Sequence, residues 1–195
     1  MIARATSHPD WALGFGDETW WDRIFQAHIA SWGEHPCKLV SRSVADKQAG
    51  DRSRACYGLL LRHPTRELLI RMPSRRPIST LTIRFLEWTL EQLAARGIRV
   101  LALIWDRAMW HTSMGVRRWI RAHNREVKAT GQGIRVLPLL LPAQSPWLNP
   151  IEPYWGDAKR KIVHPDGSLP LDDLCARVYA VFGLQPLPLL SDVLL

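Results

Sequence analysis

The chain is predicted to fold as a mixed α/β sheet with helices on its faces, and three observations lead there. Strand-like and helix-like patterns follow one another as strands, helix, strand, helix, strand, helix. Residues 100 to 105 carry no charge, as expected of a strand covered on both faces. Hydrophobic residues make up 47% and charged residues 23% of 195 residues, ordinary values for one globular domain able to bury a core.

Each element has its own signal. Ten residues precede the first strand and include the turn-like His8-Pro9-Asp10. Trp11 to Gly16 reads as a short buried strand ended by Asp17, and Lys38-Leu-Val-Ser-Arg42 as a weaker one. Arg54 to Leu61 and Glu67 to Met72 flank the proline-containing loop 62–66, which predicts a hairpin. From Ser79 to Arg96, the spacing of Ile83, Leu86, Leu90, Leu93 and Ala94 predicts an amphipathic helix closed by Gly97. Ile98 to Trp105 is a strand ended by Asp106. Thr112 or Ser113 caps a helix running to about Thr130, with Val116, Trp119, Ile120 and Val127 facing inward. Gly133 to Leu141 forms another strand. Asn149 and Pro150 then open a helix as cap and first residue, which places Glu152 where it can bond back to the cap. A last helix covers Leu171 to Phe182. The domain is drawn at residues 1–183, and 184–195 form an apolar, proline-interrupted tail with no assigned function.

Bulk properties narrow the function. Twenty-six Lys and Arg against 18 Asp and Glu give a net charge of +8. The resulting pI near 10.0 favours a polyanionic partner such as nucleic acid. The three cysteines, Cys37, Cys56 and Cys175, are widely spaced and form no Cys-x-x-Cys pair, which argues against a disulfide framework and a zinc site. No secretory leader pattern precedes Trp11, and no run of 18 apolar residues exists, so a soluble intracellular protein without membrane contact is expected.

Three acids stand where chemistry can use them. Asp106 follows an apolar strand, the position at which α/β sheets bind ligands. Asp17 competes with its neighbour Glu18, because strand alternation lets only one of them face a given side. Glu152 sits in the first turn of a basic helix, where local capping alone would account for it. Three carboxylates in one cleft would suit two divalent ions cutting a phosphodiester, since hard cations take oxygen ligands.

Gly16-Asp17-Glu18-Thr19-Trp20-Trp21, Leu103-Ile-Trp-Asp106 with His111, and Leu141-Pro-x-x-Ser-Pro-Trp-Leu-Asn-Pro-Ile-Glu152 with Trp155 and Lys159-Arg160 occur in that order. Together these blocks resemble the catalytic domain of a DDE transposase, in the bacterial insertion-sequence branch of the mariner superfamily. The resemblance implies a ribonuclease-H-like fold and a metal-binding catalytic triad of Asp17, Asp106 and Glu152, served by two Mg²⁺ or Mn²⁺ ions. It further implies cleavage and strand transfer on double-stranded DNA, at transposon ends and target, by a nucleoid-associated cytoplasmic protein that acts as a homodimer. The 45 residues between Asp106 and Glu152 lie at the long end for the superfamily, and Arg107 stands where Asn is usual. Family members carry a helix-turn-helix domain ahead of the catalytic one, and the chain resembles the catalytic portion alone.

Other residues are candidates beside the triad. His111, five positions past Asp106, is a candidate for holding a phosphate or orienting a metal-bound group, or is structural. Arg107 is a phosphate contact or a competitor pairing with the carboxylates. Arg117, Arg121, Arg125 and Lys128 recur along one helix face, and Lys159, Arg160 and Lys161 follow Glu152. These are candidate DNA-backbone contacts, or simply solvated faces. Among ten tryptophans, Trp110, Trp147 and Trp155 lie in motif loops where base stacking is available. A truncated remnant that only binds DNA or a full-length partner is the alternative function. A carboxylate-pair glycosidase explains neither the charge nor the Glu152 block.

Overall fold

A computed structural model describes residues 2–23, 28–30, 38–40, 53–162 and 169–192. Helix α1 (Ile2–Ser7) leads into β1 (Trp11–Asp22), and β2 (His28–Ala30) and β3 (Lys38–Val40) pair as a separate ribbon. There follow β4 (Ser53–His63), β5 (Glu67–Arg71), α2 (Ser79–Ala94), β6 (Val100–Trp105), α3 (Met109–Thr112), α4 (Met114–Thr130) and β7 (Arg135–Leu140). A one-turn 3-10 helix (Pro146–Leu148), α5 (Glu152–Lys161) and α6 (Leu171–Val181) complete the described chain.

The main sheet is mixed, in the order β5-β4-β1-β6-β7. β4 runs antiparallel to both β5 and β1, whereas β6 and β7 run parallel to β1. β1 is therefore central, and it extends six residues past Gly16, so Asp17 lies within the strand rather than at its end. The reason is its second partner: Asp17 to Asp22 pair with residues 53 to 58 of β4 after the pairing with β6 has stopped at Phe15. The expected hairpin is present as β4 and β5.

Alternation sends each strand's side chains to two cores. Tyr57, Leu59, Leu101, Leu103 and Trp105 pack under α2 and α4 with Leu81, Phe85, Leu86, Val116 and Ile120. Trp21, Cys56, Leu60 and Ile70 pack on the other face with Ile151, Trp155, Leu174 and Val178. Cys56 and Cys175 are buried free thiols, and Cys37 lies outside the described residues.

The helix signals resolve locally. Ser113 caps α4 by accepting from the Val116 amide, and Gly131 ends the helix at φ 68°, a left-handed conformation that costs glycine little. β7 is an edge strand, which is where Pro138 can sit without breaking a ladder. One side-chain amide covers part of that edge: Asn124 Nδ2 donates to the Val136 carbonyl at 2.7 Å, and the Val136 amide donates to Asn124 Oδ1 at 2.8 Å. The tail packs on the domain as far as it is described. Leu190 is buried and bridges Pro73, Arg71 donates to the Pro188 carbonyl, and Arg75 pairs with Asp192.

Candidate active site

The cleft opens at the carboxyl ends of β6 and β7. Its volume is about 450 Å³, and its lining includes Asp17 from β1, Asp106 beyond β6, Arg107, the 141–146 segment, Asn149 and Glu152. Three acids far apart in sequence thus reach one cavity. Among the described residues, however, no group of three or more His, Cys, Asp or Glu side chains is close enough to hold a metal ion. The three carboxylates thus share one cleft without forming a preassembled cage for an ion in this arrangement. The positions of the acids explain it, because each is drawn to a different neighbour or left alone.

Asp17 shares a strand face with Trp21, towards α5, where Trp155 Nε1 donates to its Oδ2 at 3.0 Å. Burial, and then the neighbouring charges of Glu18 and Glu152, push its carboxyl up to about 7 against that hydrogen bond. The approach of Trp155 depends on Gly58, the residue opposite Asp17 on β4. A Cβ at Gly58 would lie 2.5 Å from the indole.

Asp106 Oδ1 accepts the Ala108 amide at 2.9 Å and lies 2.7 Å from His111 Nδ1. The His111 hydrogen bond, outweighing partial burial, holds the Asp106 carboxyl below the usual range. His111 lies in α3, an element the sequence did not signal, and is 3% exposed. Burial alone would lower its pKa, but the charges and hydrogen bonds of Glu18 and Asp106 together push it up to about 9. The imidazole thus sits between two carboxylates as a cation at neutral pH.

Glu152 differs from its expected setting. Helix α5 begins at Glu152 itself, with Ile151 as cap and Pro153 in the first turn, and no side-chain cap bond forms. The buried Asn149 side chain also reaches inward, donating from Nδ2 to the Gly16 carbonyl at 3.1 Å. Its Oδ1 still accepts the Ile151 amide at 3.5 Å, so part of the local cap survives, but the Asn149 amide donates to the Pro146 carbonyl rather than to Glu152, which removes the capping account of Glu152. Its carboxylate is exposed to the cleft and forms no hydrogen bond or ion pair among the described residues.

The remaining candidates separate. Arg107 lines the cleft, but its Nε donates to the Leu141 carbonyl at 3.2 Å and among the described residues it forms no ion pair with an acid, so of its two candidate roles the pairing with the carboxylates is not seen. Arg117 and Arg121 border a neighbouring hollow of about 260 Å³ whose wall includes Trp105 and His111. Arg125 and Lys128 are exposed farther along α4. Lys159, Arg160 and Lys161 are exposed on α5, with Arg160 paired to Asp157 and Lys159 over the Trp21 ring. Two of the three tryptophans proposed for stacking are already engaged. Trp155 is buried and bound to Asp17, and Trp110 donates to Glu18, whereas Trp147 is 75% exposed beside the cleft lining. Glu18, left open in the sequence, points to the α2 and α4 side and does not line the cleft.

The donor chemistry suits a hard divalent ion. All three acids offer oxygen, one carboxylate has no partner, and crowded negative charge is part of what raises Asp17. A cation there would relieve that repulsion.

Comparison with known proteins follows the same lines. A family model described as "DDE superfamily endonuclease" matches residues 40–170, a span that includes Asp106 and Glu152 and leaves Asp17 before it. No match is found among curated proteins. The mariner Mos1 paired-end complex with Mg aligns at a TM-score of 0.57 and 16% identity, over 88% of this chain and 48% of that one. The corresponding complex with Mn aligns at 0.56 and 15%, over 93% and 50%. The Mos1 strand transfer complex aligns at 0.52 and 15%, over 83% and 44%. The chain spans about half the length of these proteins. At such identity the likeness is one of fold, and the five-stranded mixed sheet flanked by helices is the ribonuclease-H-like fold that the motifs implied.

Proposed function

The chain belongs to the DDE superfamily endonucleases, and from that premise we propose that it is the catalytic domain of a transposase that nicks DNA at the ends of an insertion sequence and joins them to a target. The observation that carries this reading is the convergence of Asp17, Asp106 and Glu152 on one cleft from β1, β6 and α5. These three would hold two Mg²⁺ or Mn²⁺ ions, as the metals in the Mos1 complexes suggest. Bound ions would supply Lewis acidity to the attacking and leaving oxygens of the phosphodiester. The chain's own residues do the rest. Arg117 and Arg121 lie beside the site to take DNA phosphates, Lys159 and Lys161 extend that surface from α5, and Arg107 presents a cation within the cleft. His111 keeps Asp106 ionised and fixed. The substrate is double-stranded DNA, the working unit a homodimer pairing two ends, and the setting a bacterial cytoplasm.

The test is a supercoiled-plasmid assay carrying the element's ends. Asp106→Asn and Glu152→Gln should each abolish Mg²⁺-dependent nicking, by 10³-fold or more as an order of magnitude, and leave DNA binding intact. Undiminished nicking by Asp106→Asn would sink the reading. A second reading is a remnant that binds DNA without cutting it, which Arg107 inside the cleft favours. It predicts no metal-dependent nicking by the parent chain.

A further inference from the structure

Glu18 is a buried acid that the proposed chemistry does not use. Its side chain is 6% exposed, and a carboxylate in such a place must find partners or destabilise the fold. It has them. Oε2 accepts from Trp110 Nε1 at 2.9 Å, and Oε1 lies 2.8 Å from His111 Nε2. The other nitrogen of the same ring, Nδ1, lies 2.7 Å from Asp106 Oδ1. Trp105 stacks on that ring at 4.4 Å and 13°, which fixes its plane. A continuous chain of contacts therefore runs from β1 through an immobilised imidazole to the acid beyond β6.

The physical need for such a chain lies in Asp106 itself. The torsion about a carboxylate's last bond has a broad energy well, so an aspartate at a strand end swings unless its oxygens are held. Here Oδ1 is held twice, by His111 and by the Ala108 amide, and Oδ2 stays outside the network. Because the far anchor is Glu18, next to Asp17 on the same strand, the orientation of one cleft acid is tied to the strand that bears the other.

We propose that Glu18, His111 and Trp110 are positioning residues, a buried relay that presents Asp106 Oδ2 to a divalent cation and keeps it in register with Asp17. The inference rests on the reading of Asp106 as a metal ligand. Partners that orient metal ligands typically contribute 10- to 100-fold in metal affinity, and that range sets the expected effect.

Mn²⁺ titration by calorimetry on the DNA-free 195-residue chain, beside thermal melts, tests it. His111→Phe keeps a flat ring on Trp105 and deletes both nitrogens, so Mn²⁺ affinity should fall about 10- to 100-fold. His111→Asn keeps an amide donor near the position of Nδ1 and should recover part of that loss, even where the two variants melt alike. Glu18→Gln should weaken Mn²⁺ by a smaller factor, since the neutral amide anchors the ring less firmly. If Phe and Asn at position 111 give equal affinity, whether high or low, the relay does not orient Asp106 and the proposal fails. Asp106→Asn separates the two levels. Parent-like Mn²⁺ binding by that variant would overturn the ligand reading beneath, whereas loss in Asp106→Asn with none in His111→Phe and Glu18→Gln overturns the relay alone. Should His111→Phe fail to fold, the comparison of Glu18→Gln and His111→Asn with the parent decides, and unchanged affinity in both refutes it.

Discussion

Asp17 is held at the brink of ionisation, and this has a cost in the metal-free state. A carboxyl whose folded pKa of about 7 stands above its unfolded 3.8 gives stability that is complete below the unfolded value and is lost as pH rises through 7. His111 acts in the same direction over a higher window, since its pKa rises from 6.5 to about 9 and its contribution is lost as pH climbs through 9. Metal-free protein should therefore melt at progressively lower temperature from pH 5 to pH 9. Asp17→Asn should flatten the part below pH 8 and be more stable than the parent at pH 8 by roughly 1–2 kcal/mol, discounted for screening at the cleft. Thermal melts at pH 5 and 8, with and without Mg²⁺, check this. The parent should gain more from Mg²⁺ than the variant does, and a variant less stable at pH 8 would reverse the sign of the argument. At this scale the sequence was partly legible. Alternation separated Asp17 from Glu18, but nothing in the chain order told that His111 would join Glu18, 93 residues away, to Asp106.

The element that carries Glu152 into the cleft is α5, and its seat on the sheet depends on a missing side chain. Ile151 and Trp155 come down where β4 has Gly58, at distances of 2.9 and 2.5 Å from the place a Cβ would occupy. Gly58→Ala must push α5 outward, because the atoms it would meet are the rigid end of an indole and a packed Ile151, and should cost about 1–3 kcal/mol as overpacking. It should also lower nicking more than its stability loss accounts for, since Glu152 moves with the helix. Urea unfolding and plasmid nicking on the same preparation test both parts, and a destabilised variant with full specific activity would show that the cleft tolerates the shift. Helix and strand identities were legible from periodicity, whereas two boundaries were not. β1 runs on through Asp17 to Asp22 because β4 pairs with it there, a non-local cause. Asn149 and Pro150 look like a helix start in isolation, and Asn149 does accept the Ile151 amide, but the regular helix begins only at Glu152 and the same side chain also reaches across the fold to Gly16.

At the scale of the whole molecule, the +8 charge needs a surface, and the exposed cations of α4 and α5 provide it next to the cleft. Neutralising Arg121 and Arg125 together should weaken binding about equally for unrelated duplexes and reduce the slope of log affinity against log salt by roughly one per lost contact. Fluorescence anisotropy across a salt series measures it, and a slope unchanged from the parent would return α4 to an ordinary solvated face. Basicity was legible in composition alone. Its placement beside Trp105 and His111 was not, since the hollow there joins α4 to the ends of β6 and β7.

The central place of β1 also bears on how the chain is made. Trp11 pairs with Val100 and Phe15 with Ile104, so the innermost strand leaves the ribosome about ninety residues before its parallel neighbour. At 5 to 20 residues per second that interval is roughly 5 to 20 seconds, during which an apolar strand can pair only with β4 and has one edge uncovered. Nascent chains halted before β6 should bind holdase chaperones, and release should coincide with emergence of Trp105. The proposed triad needs Glu152 as well, 47 residues beyond Trp105, so the nuclease chemistry is withheld until the whole parallel half of the sheet and the start of α5 have followed.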